Sequence, residues 1–282
     1  LGNPVTVLWM SVLSGYLIQA LGWREMFILE GFPAVLWAFY WWKTARDKPQ
    51  QVNWLTQQEK DDLNEIMVNE QKNIKPVRNY AEAFKSRNVI LLCAQYFCWS
   101  IGVYGFVLWL PSIIRGASNM GMVQTGWLSS VPYLAATIAM ITVSWLSDRM
   151  QNRKLFVWPM LLIGAICFLG SFLLGTDNFW LSYTLLVIAG ASMYAPYGPF
   201  FAIIPEMLPK NVAGGAMALI NSMGALGSFI GSWVVGYLNG ATGGPGASYI
   251  FMGSALFVSV ILTLIVKPNA DEQSAHSLPQ AA

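Results

Sequence analysis

Eight stretches of this chain are apolar over roughly the 20 residues that a helix needs to cross a hydrocarbon core about 30 Å thick. They run approximately over 4–21, 26–42, 89–114, 122–147, 155–175, 180–205, 213–239 and 248–266. Segments of this length and character have no place in water, so the expected fold class is an all-α membrane protein. Only 11% of the residues are charged, against roughly 25% in a soluble domain. Thirteen Trp, fifteen Phe and eleven Tyr are more aromatic surface than a soluble fold can hide. A soluble enzyme, a disordered chain and a nucleic-acid binder are thereby excluded, and a net charge of +2 exerts no general pull on polyanions. Cys93, Cys98 and Cys167 all lie inside apolar runs, which gives neither a disulfide framework nor a metal-ligand spacing.

Gly116, Gly121, Gly175, Pro209 and the glycines of 240–246 mark the joins between runs. Pro132, Pro159, Pro196, Pro199 and Pro205 fall within the runs and predict kinks, which membrane helices tolerate. The one long polar stretch lies between the second and third runs, from Lys43 to Asn88. Within it, Thr56 with Glu59 three residues later predicts a capped helix start. If this stretch is cytoplasmic, alternation leaves only Arg24 and Arg115 of the 16 basic residues on the far side. That asymmetry sets the orientation, with both ends of the chain cytoplasmic.

Two spans, a long charged loop and six further spans suggest the second half of a twelve-helix transporter built from two six-helix halves. The expected divisions are 1–42, the last two helices of an N-terminal bundle; 43–88, the inter-bundle loop; 89–268, a six-helix bundle; and 269–282, a cytoplasmic tail. The chain opens on Leu1 with no basic n-region or cleavage site, and is expected to be an N-terminally truncated piece.

At the end of the fourth run stands Ser144-Trp-Leu-Ser-Asp148-Arg149-Met-Gln151-Asn-Arg153-Lys154. It resembles the loop signature of the major facilitator superfamily, Gly-x-x-x-Asp-Arg-x-Gly-x-Arg-Arg. Ser144 and Gln151 stand where the pattern has Gly. The resemblance implies that Asp148, Arg149, Arg153 and Lys154 form a charged latch on the cytoplasmic face. The plainer reading is a solvated loop whose charge obeys the positive-inside rule.

Two further stretches resemble the anion:cation symporter branch of that superfamily. One is Gly22-Trp23-Arg24-Glu25-Met-Phe27-Ile-Leu-Glu30-Gly31-Phe-Pro33. The other joins Tyr197-Gly198-Pro199-Phe200-Phe201, followed by Pro205-Glu206 and Pro209, to Ala216-Met-Ala-Leu-Ile-Asn221-Ser-Met-Gly224-Ala-Leu-Gly227. The resemblance covers nearly the whole chain and is similar in kind to bacterial 2-ketogluconate, aldonate and hexuronate carriers. It implies import of a small organic anion, a sugar acid, by proton symport across the bacterial inner membrane, by a monomer without cofactors. The resemblance also implies that Gly198, Phe200 and Phe201 line the substrate site and that Asn221 binds substrate. Where Phe201 stands, related carriers often have Trp, so an indole donor is missing here. Proton-coupling carboxylates and the substrate-pairing Arg belong to the first four helices of such carriers.

A hydroxylated carboxylate crossing a bilayer needs hydrogen-bond partners at mid-depth. Gln95, Tyr96, Trp99 and Tyr104 surround a Ser100–Gly102 break, and Gln95 and Trp99, four apart, share a helix face. Their depth argues against the interfacial belt that Tyr and Trp otherwise form. Tyr194, Pro196, Tyr197, Gly198 and Pro199 predict a broken helix that frees backbone carbonyls and leaves room at Gly198. The alternative there is plain packing. Asn221 is an amide inside an apolar helix and hence a functional candidate. An interhelical hydrogen bond beside the Gly224-x-x-x-Ser228 and Gly227-x-x-x-Gly231 seams is its alternative.

Glu30 sits one turn into the second run, where pairing with Arg24 or backbone outweighs proton transfer. Glu206 marks the end of the sixth run and is expected to cap or gate. His276, in the tail, offers no relay. Paired Asp, a His–Glu zinc pattern or an activated Ser are lacking, so the chain does not read as an enzyme. A carrier of another carboxylate or a neutral sugar, and a non-transporting receptor or structural protein, remain alternatives. A piece lacking half of its cavity wall is not expected to transport alone.

Overall fold

A computed structural model describes residues 2–47, 49–72, 84, 86–118, 120–175, 178–207 and 210–266. Side chains at 66–72, 117–118, 206–207 and 210–211 lie outside that description. So do Lys48, Lys75, Arg78, Lys85, Pro209 and His276, with the tail from residue 267.

Among the described residues there are ten α-helices. They are α1 (Gly2–Ala20), α2 (Trp23–Thr44), α3 (Gln57–Lys72), α4 (Arg87–Ser118), α5 (Met122–Met150), α6 (Trp158–Leu174), α7 (Phe179–Tyr194), α8 (Tyr197–Met207), α9 (Lys210–Thr242) and α10 (Gly246–Ile265). Short 3₁₀ turns occupy Pro49–Gln51 and Arg153–Phe156. Six helical stretches are long and apolar enough to cross a membrane: Arg87–Gly116, Met122–Met150, Arg153–Leu174, Phe179–Pro205, Val212–Thr242 and Gly246–Ile265. The first two expected spans form helices of 19 and 22 residues but fall short of that apolarity. Asn3, Gln19 and four hydroxyl groups dilute α1, while Arg24, Glu25 and Glu30 dilute α2.

The chain forms two compact units, residues 17–78 and residues 1–16 with 79–282. In the smaller unit Gly22 turns the chain between helices at φ 103°, a conformation open to glycine. Its loop helix starts as a reciprocal capping box. The Thr56 N–H donates to Glu59 Oε2 at 2.8 Å, and the Glu59 N–H donates to Thr56 Oγ1 at 3.4 Å.

In the larger unit α4 is central, packed on α9 and α10, with α10 on α6, α6 on α7 and α7 on α5. The α4–α9 seam is made by missing side chains. A Cβ on Gly227 or Gly231 would come under 3.0 Å from the Phe97 and Ile101 carbonyl oxygens, so the two backbones touch there. Trp109 closes the same seam, its indole N–H donating to the Ser232 carbonyl at 3.0 Å.

The prolines behave differently from one another. Pro132 lies inside the continuous helix α5. Lacking an N–H, it leaves the Leu128 carbonyl without its helical donor, and the Tyr183 hydroxyl supplies one at 2.8 Å. Pro159 does not kink a helix interior: it sits in the first turn of α6, where no N–H is needed. The expected sixth span is one membrane-length stretch, Phe179–Pro205, and carries a break, α7 ending at Tyr194 and α8 starting at Tyr197.

Candidate functional site

Pro196 and Pro199 remove two helical donors, so the carbonyls of Ser192 and Ala195 are released within one turn. The helix resumes when the Phe200 N–H donates to the Pro196 carbonyl at 2.9 Å. Beside this break the fully buried Trp99 of α4 donates its indole N–H to the Met193 carbonyl at 3.0 Å. That bond holds the end of α7 against α4 and occupies the donor expected to meet a sugar hydroxyl.

Around Trp99 the expected residues of three helices gather. Trp99 and Tyr197 rings lie 4.5 Å apart. Tyr96 stacks on Phe200 at 5.3 Å and meets Phe201 edge-on at 5.4 Å. Tyr194 stacks on Tyr197 at 5.6 Å and Tyr197 on Phe201 at 6.2 Å. Such pairs contribute about 0.5–1.5 kcal/mol each beyond area burial. The hydroxyls of Tyr96, Tyr104, Tyr194 and Tyr197 lie within electrostatic reach of one another. The cluster thus offers ring faces to C–H groups and several phenols able to donate or accept, and none of its side chains is charged.

Neighbouring residues complete the surroundings. A Cβ on Gly224 of α9 would strike the Tyr96 ring, so Gly224 is packed rather than open. Asn221, one turn earlier on α9, is exposed and its amide makes no hydrogen bond to the described residues. Tyr104 is half-buried and faces a groove of about 600 Å³ between α4 and α9, shared with Trp109, Ser228, Phe229 and Trp233. Asn3 of α1 accepts the Tyr194 hydroxyl at 3.1 Å. Asn3 is a contact that run length does not reveal, since it stands at the very start of an apolar run.

Two expected residues are placed elsewhere. Room at Gly198 is taken by Ser144 of α5, whose Oγ lies where a Cβ would be. Gln95 is fully buried beside a small cavity that it lines with Leu92, Lys154, Phe200, Ile203, Thr263 and Val266, all through apolar atoms. Neither amide atom of Gln95 has a partner among the described residues.

The charged loop forms a set of contacts at the end of α5. Arg153 pairs with Asp148, and Arg149 lies over the Trp145 ring at 5.3 Å. Lys154 donates to the Val266 and Leu264 carbonyls at the end of α10. Gln151 is left-handed at φ 51°, its side-chain amide donating to the Asp148 carbonyl. Glu206 falls in the last turns of α8, with its side chain outside the described residues. No cluster of three metal-ligating side chains occurs among the described residues.

Residues 1–232 and 118–282 match the family model of the Major Facilitator Superfamily. The chain is 28% identical to a quinolone resistance transporter of Acinetobacter baumannii, over 99% of its own length and 65% of that protein. A provisionally named tartrate transporter of Agrobacterium vitis is 28% identical, over 99% of this chain and 64% of that protein. A provisionally named galactarate/D-glucarate transporter, GudP, of Bacillus subtilis is 22% identical, over 91% of this chain and 59% of that protein. The chain therefore spans less than two thirds of the length of these relatives.

Proposed function

Because the chain belongs to the Major Facilitator Superfamily, we propose that it is part of a secondary active transporter that imports a small hydroxylated organic acid by alternating access. The observation that carries this reading is the cluster of Tyr96, Trp99, Tyr194, Tyr197, Phe200 and Phe201, gathered from α4, α7 and α8 around a broken helix. Ring faces take the C–H surface of a polyhydroxy acid, and phenols take its hydroxyls. Asn221, exposed and without a partner among the described residues, supplies an amide, while Tyr104 flanks the path. The charge of the acid calls for a cation from outside the cluster.

Relatives named for tartrate and for galactarate/D-glucarate support a hydroxy-acid substrate; 2-ketogluconate is the member of the class we favour. Coupling is to protons, and the unit is a monomer in the bacterial inner membrane with both ends of this chain cytoplasmic. Residues 1–42 are the last two helices of an N-terminal bundle, 43–88 the inter-bundle loop and 89–268 the second bundle. Asp148, Arg149, Arg153 and Lys154, with Glu206, form the cytoplasmic latch.

The same aromatic cluster favours a second reading, export of a planar aromatic acid, in line with the relative named for quinolone resistance. Proton-gradient-driven uptake by the full-length carrier in vesicles separates the two. The panel is 2-ketogluconate, gluconate, galactonate, tartrate, glucuronate, a neutral hexose and a quinolone. Accumulation of one acid, abolished by a protonophore, supports the first reading. Movement of the quinolone or hexose alone sinks it.

A further inference from the structure

A second cavity lies apart from the ring cluster, between the ends of α4 and α6 and the starts of α7 and α10. Lys154, just before α6, reaches carbonyls at the end of α10, so this cavity is at the opposite end of the bundle from the charged loop. Its volume is about 80 Å³ and its walls are almost wholly apolar. Tyr183, stacked on Phe179 at 5.9 Å, and Tyr249, stacked on Phe168 at 6.2 Å, supply ring walls. Leu186 is buried seven residues past the start of α7, which at 1.5 Å per residue gives a depth of about 10 Å. The Ser171 and Tyr183 hydroxyls are spent on the carbonyls of Ser182 and Leu128. A buried water needs two to four polar partners, and such walls cannot supply them for the several waters this volume would take. The solute of the ring cluster does not belong here either, since no charged side chain lines the space. An engineered apolar cavity that takes up benzene measures about 150 Å³. This one is about half that size, too small for a ring and large enough for the end of an alkyl chain.

The edge of the cavity says where such a chain comes from. Phe172 and Gly246 meet there, a Cβ on Gly246 standing 3.4 Å from the Phe172 ring. Leu169, Phe172 and Leu173 share one face of α6, and all three are exposed. On a helix of membrane length an exposed apolar stripe of this kind faces hydrocarbon. We propose that the cavity is a lipid site, which takes the end of an acyl chain of a bilayer lipid entering beside Phe172. The chain lies between α6 and α10 and reaches inward to Leu186 and Tyr249. The site is independent of the ring cluster and of whatever solute that cluster takes.

The test uses the full-length protein in liposomes containing a phospholipid with a photoreactive diazirine near the end of one acyl chain. Labelled residues are read by peptide mass spectrometry. The expected result is labelling of the buried Leu186 and Tyr249, beside the labelling that an exposed residue such as Leu173 receives. Ser171→Leu, which fills the cavity, abolishes the labels at Leu186 and Tyr249 and leaves the one at Leu173. Should Ser171→Leu fail to fold, Gly246→Leu closes the edge against Phe172, where the added Cβ makes only ordinary contact, and the same loss is expected. A short alkanol bearing a diazirine forms the second arm. Labelling of the two buried residues by the alkanol alone means that the space admits free small molecules and is closed to lipid, which overturns the proposal. Labelling of neither residue by the lipid overturns it too, as does labelling that survives the filling of the cavity.

Discussion

Ser144 and Gly198 interlock. The hydroxyl of Ser144 on α5 lies where any side chain at position 198 on α8 would have to begin. The loop signature has Gly at position 144, which suggests a looser approach when Ser replaces it. The close approach survives because the small residue stands on the facing helix instead.

Gly198→Ala therefore overpacks this contact and lowers stability by about 1–3 kcal/mol. Adding Ser144→Gly to the same protein recovers most of the loss. Denaturation of the single and double variants in detergent checks both, and equal stability of the two sinks the account.

Tyr183 and Pro132 form a compensating pair across α7 and α5. Tyr183→Phe removes the donor to the Leu128 carbonyl and costs about 1–2 kcal/mol, as a buried acceptor left unpaired does. In the Pro132→Ala background the peptide N–H returns and the same change costs less. A double-mutant cycle on unfolding free energy measures this, and an equal cost in both backgrounds contradicts it.

Asn221→Ala is expected to abolish most uptake by the full-length carrier while leaving membrane insertion and the unfolding midpoint intact. An exposed amide with no partner among the described residues contributes little to stability. If stability falls together with uptake, Asn221 is packing and not binding.

The capping box of α3 carries a pH dependence. Hydrogen bonds from the Thr56 backbone N–H and hydroxyl hold the Glu59 carboxyl below its ordinary value. A depressed folded value contributes helix stability that is complete above the unfolded value of about 4.5. It is lost as pH falls through the lower folded value. Hydrogen-exchange protection of the first-turn amides of α3 should fall at acid pH in the wild type. It should be flat with pH in Glu59→Gln, whose amide oxygen still accepts from the Thr56 N–H but does not titrate.

Much of this was legible in the sequence for clear reasons. Apolar run length alone marked the helices of the larger unit, since a bilayer-sized run has few other uses. Thr56 and Glu59 announced a helix start because capping is local chemistry. Tyr96, Trp99, Tyr197, Phe200 and Phe201 could be guessed to gather, as depth and the double proline marked their stretches. What stayed hidden depends on which face of a helix meets which neighbour. Run length carries no information about facing partners. It could not show that Ser144 fills the room at Gly198, that Gln95 turns into the bundle, or that Asn3 reaches Tyr194. Gln151 was visible as a departure from the loop pattern. The reason that pattern has Gly there, a left-handed residue at the end of α5, required the backbone.

The two sides of α4 differ in how they resist motion. Towards α9, carbonyls of Phe97 and Ile101 sit in the notches left by Gly227 and Gly231, and backbone lodged in backbone cannot slide without collision. Towards α8 the contact is ring on ring, and stacked and edge-on arrangements of aromatic pairs are close in energy. Helices α4 and α9 thus form a stiff rail, and the face carrying Tyr197, Phe200 and Phe201 is a slip plane along it. Displacement at the broken helix can proceed by exchanging one ring geometry for another while the rail stays registered.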